Sequence, residues 1–274
     1  MTIDNSIETA KNGVALVGEI LKAAGDNPNV KEAGHNLGQT ALTIAKTINN
    51  ALLPLAAVNF AFDKARVYFS EKFQQDISQK ASAIPPEKLI EPKASIAGPA
   101  LQGLAFTHEE ANLKDMYLSL LATSMDGRVA SEAHPAFVEI IKQLDSEEAD
   151  LIRGILQSPN AIAIVEVRIT TVGEQGWIAL ATHLLNLTSI KTSLPVEVPR
   201  FPAMVDNWVR LGLVDVDYAK HLTAEHSYDW VEDRPEIVRY RQTHESETKK
   251  LSFVNGVIMR TSLGIQFAKA VGLA

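Results

Sequence analysis

IAGPALQGLAFTHEEANLKDMYLSLLATSMDGRVASEAHPAFVEIIKQLDSEEADLIRGIL, Ile96 to Leu156, carries the clearest helix signals in the chain. Thr107 stands three residues before Glu110, the spacing of a capping box in which each side chain bonds the other residue's backbone N–H. Leu113, Met116, Tyr117, Leu120 and Leu121 then recur at helical spacing and form one apolar stripe. Gly127 is expected to end that helix in a left-handed conformation. His134-Pro135 opens the next one, because proline is tolerated in a first helical turn. Phe137, Ile140, Ile141 and Leu144 give it a second stripe. Asp145 with Glu148 repeats the capping-box spacing ahead of a third helix through Ile152, Ile155 and Leu156. Helices joined this closely are expected to pack antiparallel or nearly so.

Towards the N-terminus the apolar period stays helical. Ile7, Ala10, Val14, Val17, Leu21 and Ala24 form one stripe, stopped by Gly25-Asp26, and Asn27-Pro28 offers a fresh cap. A longer stripe runs from Leu37 to Phe62, with a kink or break expected at Pro54. Within it, Ala51 to Phe62 (ALLPLAAVNFAF) is almost wholly apolar but ends at Asp63-Lys64, short of the roughly 20 residues a bilayer span needs. It reads as a buried core helix, with membrane contact through Leu52 to Phe62 the alternative. Ala65, Tyr68, Phe69 and Phe73 continue a helix to about Ala81. The proline-rich Ile84 to Pro92 (IPPEKLIEP) is an extended connector. The opening residues MTIDNSIETAKNG lack the pattern of a signal peptide, so a cytoplasmic location, with membrane association as an option, is expected.

After Leu156 the pattern changes. Ala161 to Thr170 (AIAIVEVRIT) is rich in β-branched residues and reads as a strand. Trp177, Leu180, Leu184 and Leu187 read as a helix, and Met204, Trp208 and Leu211 as another, terminated by Gly212. LVDVD is a short strand, Tyr218 to His244 is polar and helical in part, and Asn255-Gly256 between apolar runs signals a tight hairpin. Leu263, Phe267, Ala270 and Val271 close with a helix. The expected fold is mainly α with a small β component: a helical region over 1–92, a central helical hairpin over 93–144, and a winged-helix-like part over 145–274 with a helical insertion in its wing.

Composition narrows the chemistry. The chain of 274 residues has no cysteine, which excludes disulfides, thiolate metal sites and cysteine nucleophiles. A net charge of −7 opposes broad nucleic-acid binding, although a winged helix presenting Asn207 and Arg210 keeps a DNA-binding regulator as an alternative. Asp126, Arg128, Glu132, His134 and Glu139 form the one polar cluster that looks placed. No metal-ligand spacing, serine-hydrolase elbow or phosphate-cradling glycine loop occurs, and no cofactor is implied. Arg128 and His134, with five residues between them, are similar to the Arg-His motif of the all-α HEPN ribonucleases. There the histidine would be general acid or base, and the arginine would stabilise developing phosphorane charge. Arg239 and His244 match the same loose pattern, and Asp126 and His134 also read as helix caps with Arg128 paired to a local carboxylate.

At IAGPALQGLAF, LLATSMDGRVASEAHPAFVEIIKQLDSEEADLI, NWVRLGLVDVDY and RTSLGIQFAKAV the chain resembles the bacterial abortive-infection alpha (Abi-alpha) family, from about Pro28 to its end. MD…HPAFVEIIKQL is the most specific part. The last helix reads RTSLGIQF where the family tends towards Leu-Thr-x-Phe-Gly-x-x-Phe. The resemblance implies phage resistance by halting infected cells and brings no catalytic residues with it. The expected role is therefore a non-enzymatic antiphage protein that contacts a protein partner, a phage-derived trigger or a membrane. Asp126, Glu139, Asn207 and Arg210 are its candidate contact residues, and an effector ribonuclease using Arg128 and His134 is the enzymatic alternative.

Overall fold

Ala111–Met125 is the helix around which the described helices of the first unit pack. The computed structural model describes residues 64, 65, 67–69 and 71–274. The Ile7 to Ala24 stripe, the Leu37 to Phe62 stripe, the break at Pro54 and the apolar run Ala51 to Phe62 all lie outside the described residues. The described elements are α1 (Phe73–Ala81), α2 (Ala94–Thr107), α3 (Ala111–Met125), α4 (Ala136–Ile141), α5 (Ser146–Gln157), β1 (Ile162–Thr171), β2 (Ile178–Leu184), α6 (Phe201–Arg210), β3 (Val214–Asp217), α7 (Pro235–His244), β4 (Lys249–Arg260) and α8 (Ser262–Ala270). The described residues are mainly helical with one small sheet. It divides into two units, the first running to Asp150 and taking back Gln266–Leu273, the second spanning Leu151–Ile265.

In the first unit α3 packs against α1, α2 and α4. The expected stripe is buried, and so are Leu118, Ser119, Ala122, Ser124 and Met125 on its other sides. A helix apolar nearly all round belongs inside a bundle rather than on its surface. Two of its polar side chains are bonded, one locally and one far along the chain: Ser124 Oγ donates to the Leu121 carbonyl (2.7 Å) and Thr123 Oγ1 to the Ala270 carbonyl (2.9 Å).

Two local expectations at the ends of this helix need correction. Thr107 and Glu110 form no capping box: Thr107 is the last residue of α2 and its hydroxyl donates back to the Gly103 carbonyl at 3.1 Å. Glu110 occupies the N-cap of α3 without a side-chain bond. The hydroxyl took the nearer orphan acceptor at a helix C-terminus over the donor one loop away. Gly127 is not left-handed. The chain leaves α3 extended at Asp126 (φ −94°, ψ 105°), and Gly127 serves close approach, since a Cβ there would stand 3.1 Å from the Lys88 carbonyl oxygen. The Asp145–Glu148 box forms as expected, with Glu148 N–H donating to Asp145 Oδ1 (2.8 Å) and Asp145 N–H to Glu148 Oε2 (2.9 Å).

The second unit holds an antiparallel sheet in the order β2-β1-β4-β3. β1 and β4 pair over ten residues, Ile162 opposite Ile258 through Thr171 opposite Lys249. Val165, Val167, Leu184, Val231 and Ile237 build a core cluster on it. Here two expectations fail. Trp177 to Leu187 is not a helix: Ile178–Leu184 is strand β2, entered through Gly173 and Gly176 at positive φ. Over so short a run, apolar spacing fits helix and strand alike, and the available partner β1 decided. Asn255-Gly256 is not a hairpin either: both residues lie inside β4, opposite Val165 and Ile164. The two apolar runs share one long partner instead of pairing with each other. Gly256 is glycine for contact, because a Cβ there would meet the Tyr218 ring at 2.5 Å. With a strand where a helix was expected and one continuous strand where the wing was expected, the winged arrangement does not follow from this topology.

Two helix ends behaved as read. Gly212 (φ +72°) closes α6 in a Schellman motif, with Leu213 N–H bonded to the Trp208 carbonyl and Gly212 N–H to the Val209 carbonyl, both at 2.9 Å. Pro135 sits at the N-cap of α4.

Candidate functional site

The polar corner follows directly from the extended exit of α3. Asp126 is 6% exposed and receives four bonds from one residue. The Arg128 backbone N–H donates to Oδ1 (3.0 Å), its Nε to Oδ1 (2.8 Å) and Oδ2 (3.1 Å), and its Nη2 to Oδ2 (2.6 Å). Such a charge-assisted fork fixes both side chains. It holds the Asp126 carboxyl below the usual carboxylate range, against the opposing effect of burial, and raises the Arg128 guanidinium. Arg128 Nη2 also donates to the Ala83 carbonyl at 3.2 Å. Beside it, Ile90 N–H donates to the Met125 carbonyl (2.9 Å) and Gly127 N–H to the Lys88 carbonyl (2.8 Å). The corner thus clamps the proline-rich connector onto the end of α3.

His134 stands apart from this fork. Its Nδ1 accepts the Ala136 N–H at 3.1 Å, which satisfies an orphan donor at the start of α4, and its ring lies 5.9 Å from Phe137. Among the described residues no hydrogen bond, ion pair or ring contact joins Arg128 to His134. Glu139 pairs with Lys142 at 2.9 Å one turn on, and the Glu132 carbonyl accepts from Gln266 at 3.5 Å. Arg239 pairs with Glu197 at 2.6 Å. On α6, Arg210 Nη2 donates to Asn207 Oδ1 at 2.6 Å.

Two polar groupings in the second unit escaped the sequence reading. His183, within a run of apolar residues, has φ +56°, a conformation L-residues rarely adopt. It lies in a β2 bulge where the register against β1 shifts between Val165 and Val167. Tyr218 Oη takes its backbone N–H at 3.0 Å and lies 3.1 Å from its Nδ1, and Asp206 Oδ1 lies 3.1 Å from its Nε2. An Nε2–H tautomer satisfies every group: Nε2–H donates to the carboxylate and the phenol donates to Nδ1. The second grouping is Arg234, 1% exposed, whose guanidinium grips both Glu236 oxygens (3.1 and 2.6 Å) and the carbonyls of Leu187 (2.6 Å) and Val196 (2.8 Å). The only signal in the sequence was Arg234-Pro235-Glu236 at a helix start, and nothing local names the distant carbonyls.

A family model described as abortive infection alpha matches residues 65–271 of the 274-residue chain. The chain belongs to the abortive infection alpha family. No curated protein and no solved structure matches it. The RTSLGIQF phrase that resembles the family's final-helix pattern now has a physical reading. Thr261 Oγ1 accepts the Gly264 N–H (2.9 Å) and donates to the Gly212 carbonyl (2.5 Å). A Cβ on Gly264 would stand 2.0 Å from the Leu213 carbonyl oxygen. Phe267 is fully buried, edge-on to Phe137 with ring centres 5.5 Å apart. Among the described residues no helix is long and apolar enough to cross a membrane.

Proposed function

We propose that this abortive infection alpha protein serves bacterial antiphage defence in the cytoplasm by contacting a protein partner, without catalysis of its own. The observation that supports this reading is the commitment of Arg128: its fork is taken up by Asp126 and the Ala83 carbonyl, and His134 spends its Nδ1 on capping α4. A ribonuclease pair needs a guanidinium and an imidazole that converge on one phosphate. Here the guanidinium faces a carboxylate and the imidazole faces a backbone N–H.

The test is phage challenge of cells carrying His134→Ala, which removes only an exposed cap, alongside Arg128→Lys, which keeps the charge and loses the bidentate geometry. Protection by His134→Ala equal to that of the parent protein is the expected result. Loss of protection with normal protein level and circular dichroism would establish the ribonuclease reading instead.

A further inference from the structure

Residues 187–196 of the second unit form a projecting loop whose two arms pair. Ser189 N–H donates to the Leu194 carbonyl (2.9 Å), Val196 N–H to the Leu187 carbonyl (2.9 Å), and Thr188 bridges to Pro195. Residues 190–194 make the tip. All of them are exposed, Ile190 fully. We propose that this tip docks on an anionic lipid surface, with Ile190 and Leu194 entering the headgroup layer and the Lys191 ammonium held by the anionic headgroups.

The tip is suited to a less polar medium. A backbone donor taken out of water needs a partner inside the protein. Here Ser193 N–H donates to the Ser189 carbonyl (2.8 Å), Lys191 and Thr192 N–H to Ser189 Oγ (3.3 and 3.4 Å), and Leu194 N–H to Thr192 Oγ1 (3.4 Å). Ser193, at φ +56°, closes the turn that allows this. The loop is also fixed at its base. The buried Arg234 guanidinium donates to the Leu187 and Val196 carbonyls (2.6 and 2.8 Å), and Glu236 neutralises it. Gripped there, the arms hold Ile190 out in water.

Charge and size favour lipid over a protein pocket. Residues 185–196 contain Lys191 and no acid. Glu197, the next acid, is bound by two nitrogens of Arg239 (2.6 and 2.7 Å). A lysine among apolar neighbours lays its stem beside them and keeps its ammonium at headgroup level, whereas protein interfaces are depleted in lysine. Those interfaces take roughly 20–30 residues a side, far more than this tip presents. A bilayer needs no matching pocket and accepts a single projecting side chain. One cation with two apolar side chains makes a weak, reversible and salt-sensitive contact.

Sedimentation of the full chain with vesicles tests this, using phosphatidylcholine alone and an equimolar mixture with phosphatidylglycerol. The parent protein is expected to bind the mixed vesicles and to be released by salt. Ile190→Ser changes a fully exposed side chain, so it should fold, and it should bind at least about tenfold more weakly. Lys191→Gln should weaken binding to the mixed vesicles about fivefold, the effect of one lysine worth about 1 kcal/mol at an anionic surface. Ile178→Ser, at an exposed isoleucine on β2, should bind as the parent does. The proposal is overturned if the parent protein binds neither vesicle or binds both equally. It is also overturned if Ile190→Ser binds as well as the parent, which would give the contact to another part of the chain, such as the apolar run over residues 51–62. Loss of antiphage protection by Ile190→Ser, when the parent binds no vesicle, would assign the tip to a protein partner instead.

Discussion

Two glycines at the scale of single residues show how much the surroundings decide. Gly264 and Gly154 both lie in helices, where glycine costs roughly 0.5–1 kcal/mol against alanine. A Cβ on the exposed Gly154 meets nothing within 4 Å, whereas one on Gly264 would overlap the Leu213 carbonyl oxygen at 2.0 Å. Gly264→Ala should therefore destabilise by about 2–3 kcal/mol, because a backbone atom cannot step aside. Gly154→Ala should be neutral or stabilising by up to about 1 kcal/mol. Urea unfolding midpoints separate the two, and a stable Gly264→Ala would show the contact to be soft. The same contrast holds for ion pairs. Glu236 is buried against Arg234, while Glu197 faces an Arg239 side chain that is 51% exposed. Glu236→Gln should cost about 3 kcal/mol by stranding a buried guanidinium. Glu197→Gln should cost under about 1 kcal/mol, the range of exposed pairs.

Elements were legible where local signals were strong and unopposed. The strands at Ile162–Thr171 and Val214–Asp217, the helix closed by Gly212 and the Asp145–Glu148 box all follow from period and cap residues. β2 and the centre of β4 did not, because Trp177 to Leu187 and Asn255-Gly256 carry signals a long neighbouring strand overrides. The bulge in β2 is held by Tyr218, and that contact has a pH signature. Burial raises the Tyr218 phenol from its usual 10 to about 12. A raised folded-state value means the contribution is whole below pH 10, where the unfolded phenol is also protonated. It is lost as pH climbs towards 12, because the unfolded chain then releases a proton the folded one retains. Denaturant midpoints should fall over that window, and Tyr218→Phe should flatten the fall. An unchanged slope in the variant would assign the alkaline loss to other groups, such as the Tyr68 and Tyr117 phenols, which burial also raises.

At the scale of the whole molecule, the polar corner shows what a cluster in sequence can and cannot mean. Asp126, Arg128, His134 and Glu139 are close along the chain, so their proximity required no fold. Their division of labour did: Arg128 turned towards Ala83 and the connector, His134 towards its own helix start, and Glu139 towards Lys142. Tyr117 was also in plain view, but it looked like any member of a core stripe, and nothing in the sequence shows that its buried hydroxyl finds no hydrogen-bond partner. From sequence alone came the helical character, the Asp145–Glu148 and Gly212 caps, the absence of cysteine chemistry and the membership of a family. These depend on neighbours within a few residues or on composition, where spacing and side-chain type carry the physics. Tertiary structure alone decided which strands pair, which glycines are irreplaceable and which polar atoms remain unsatisfied, since each depends on atoms tens of residues away along the chain.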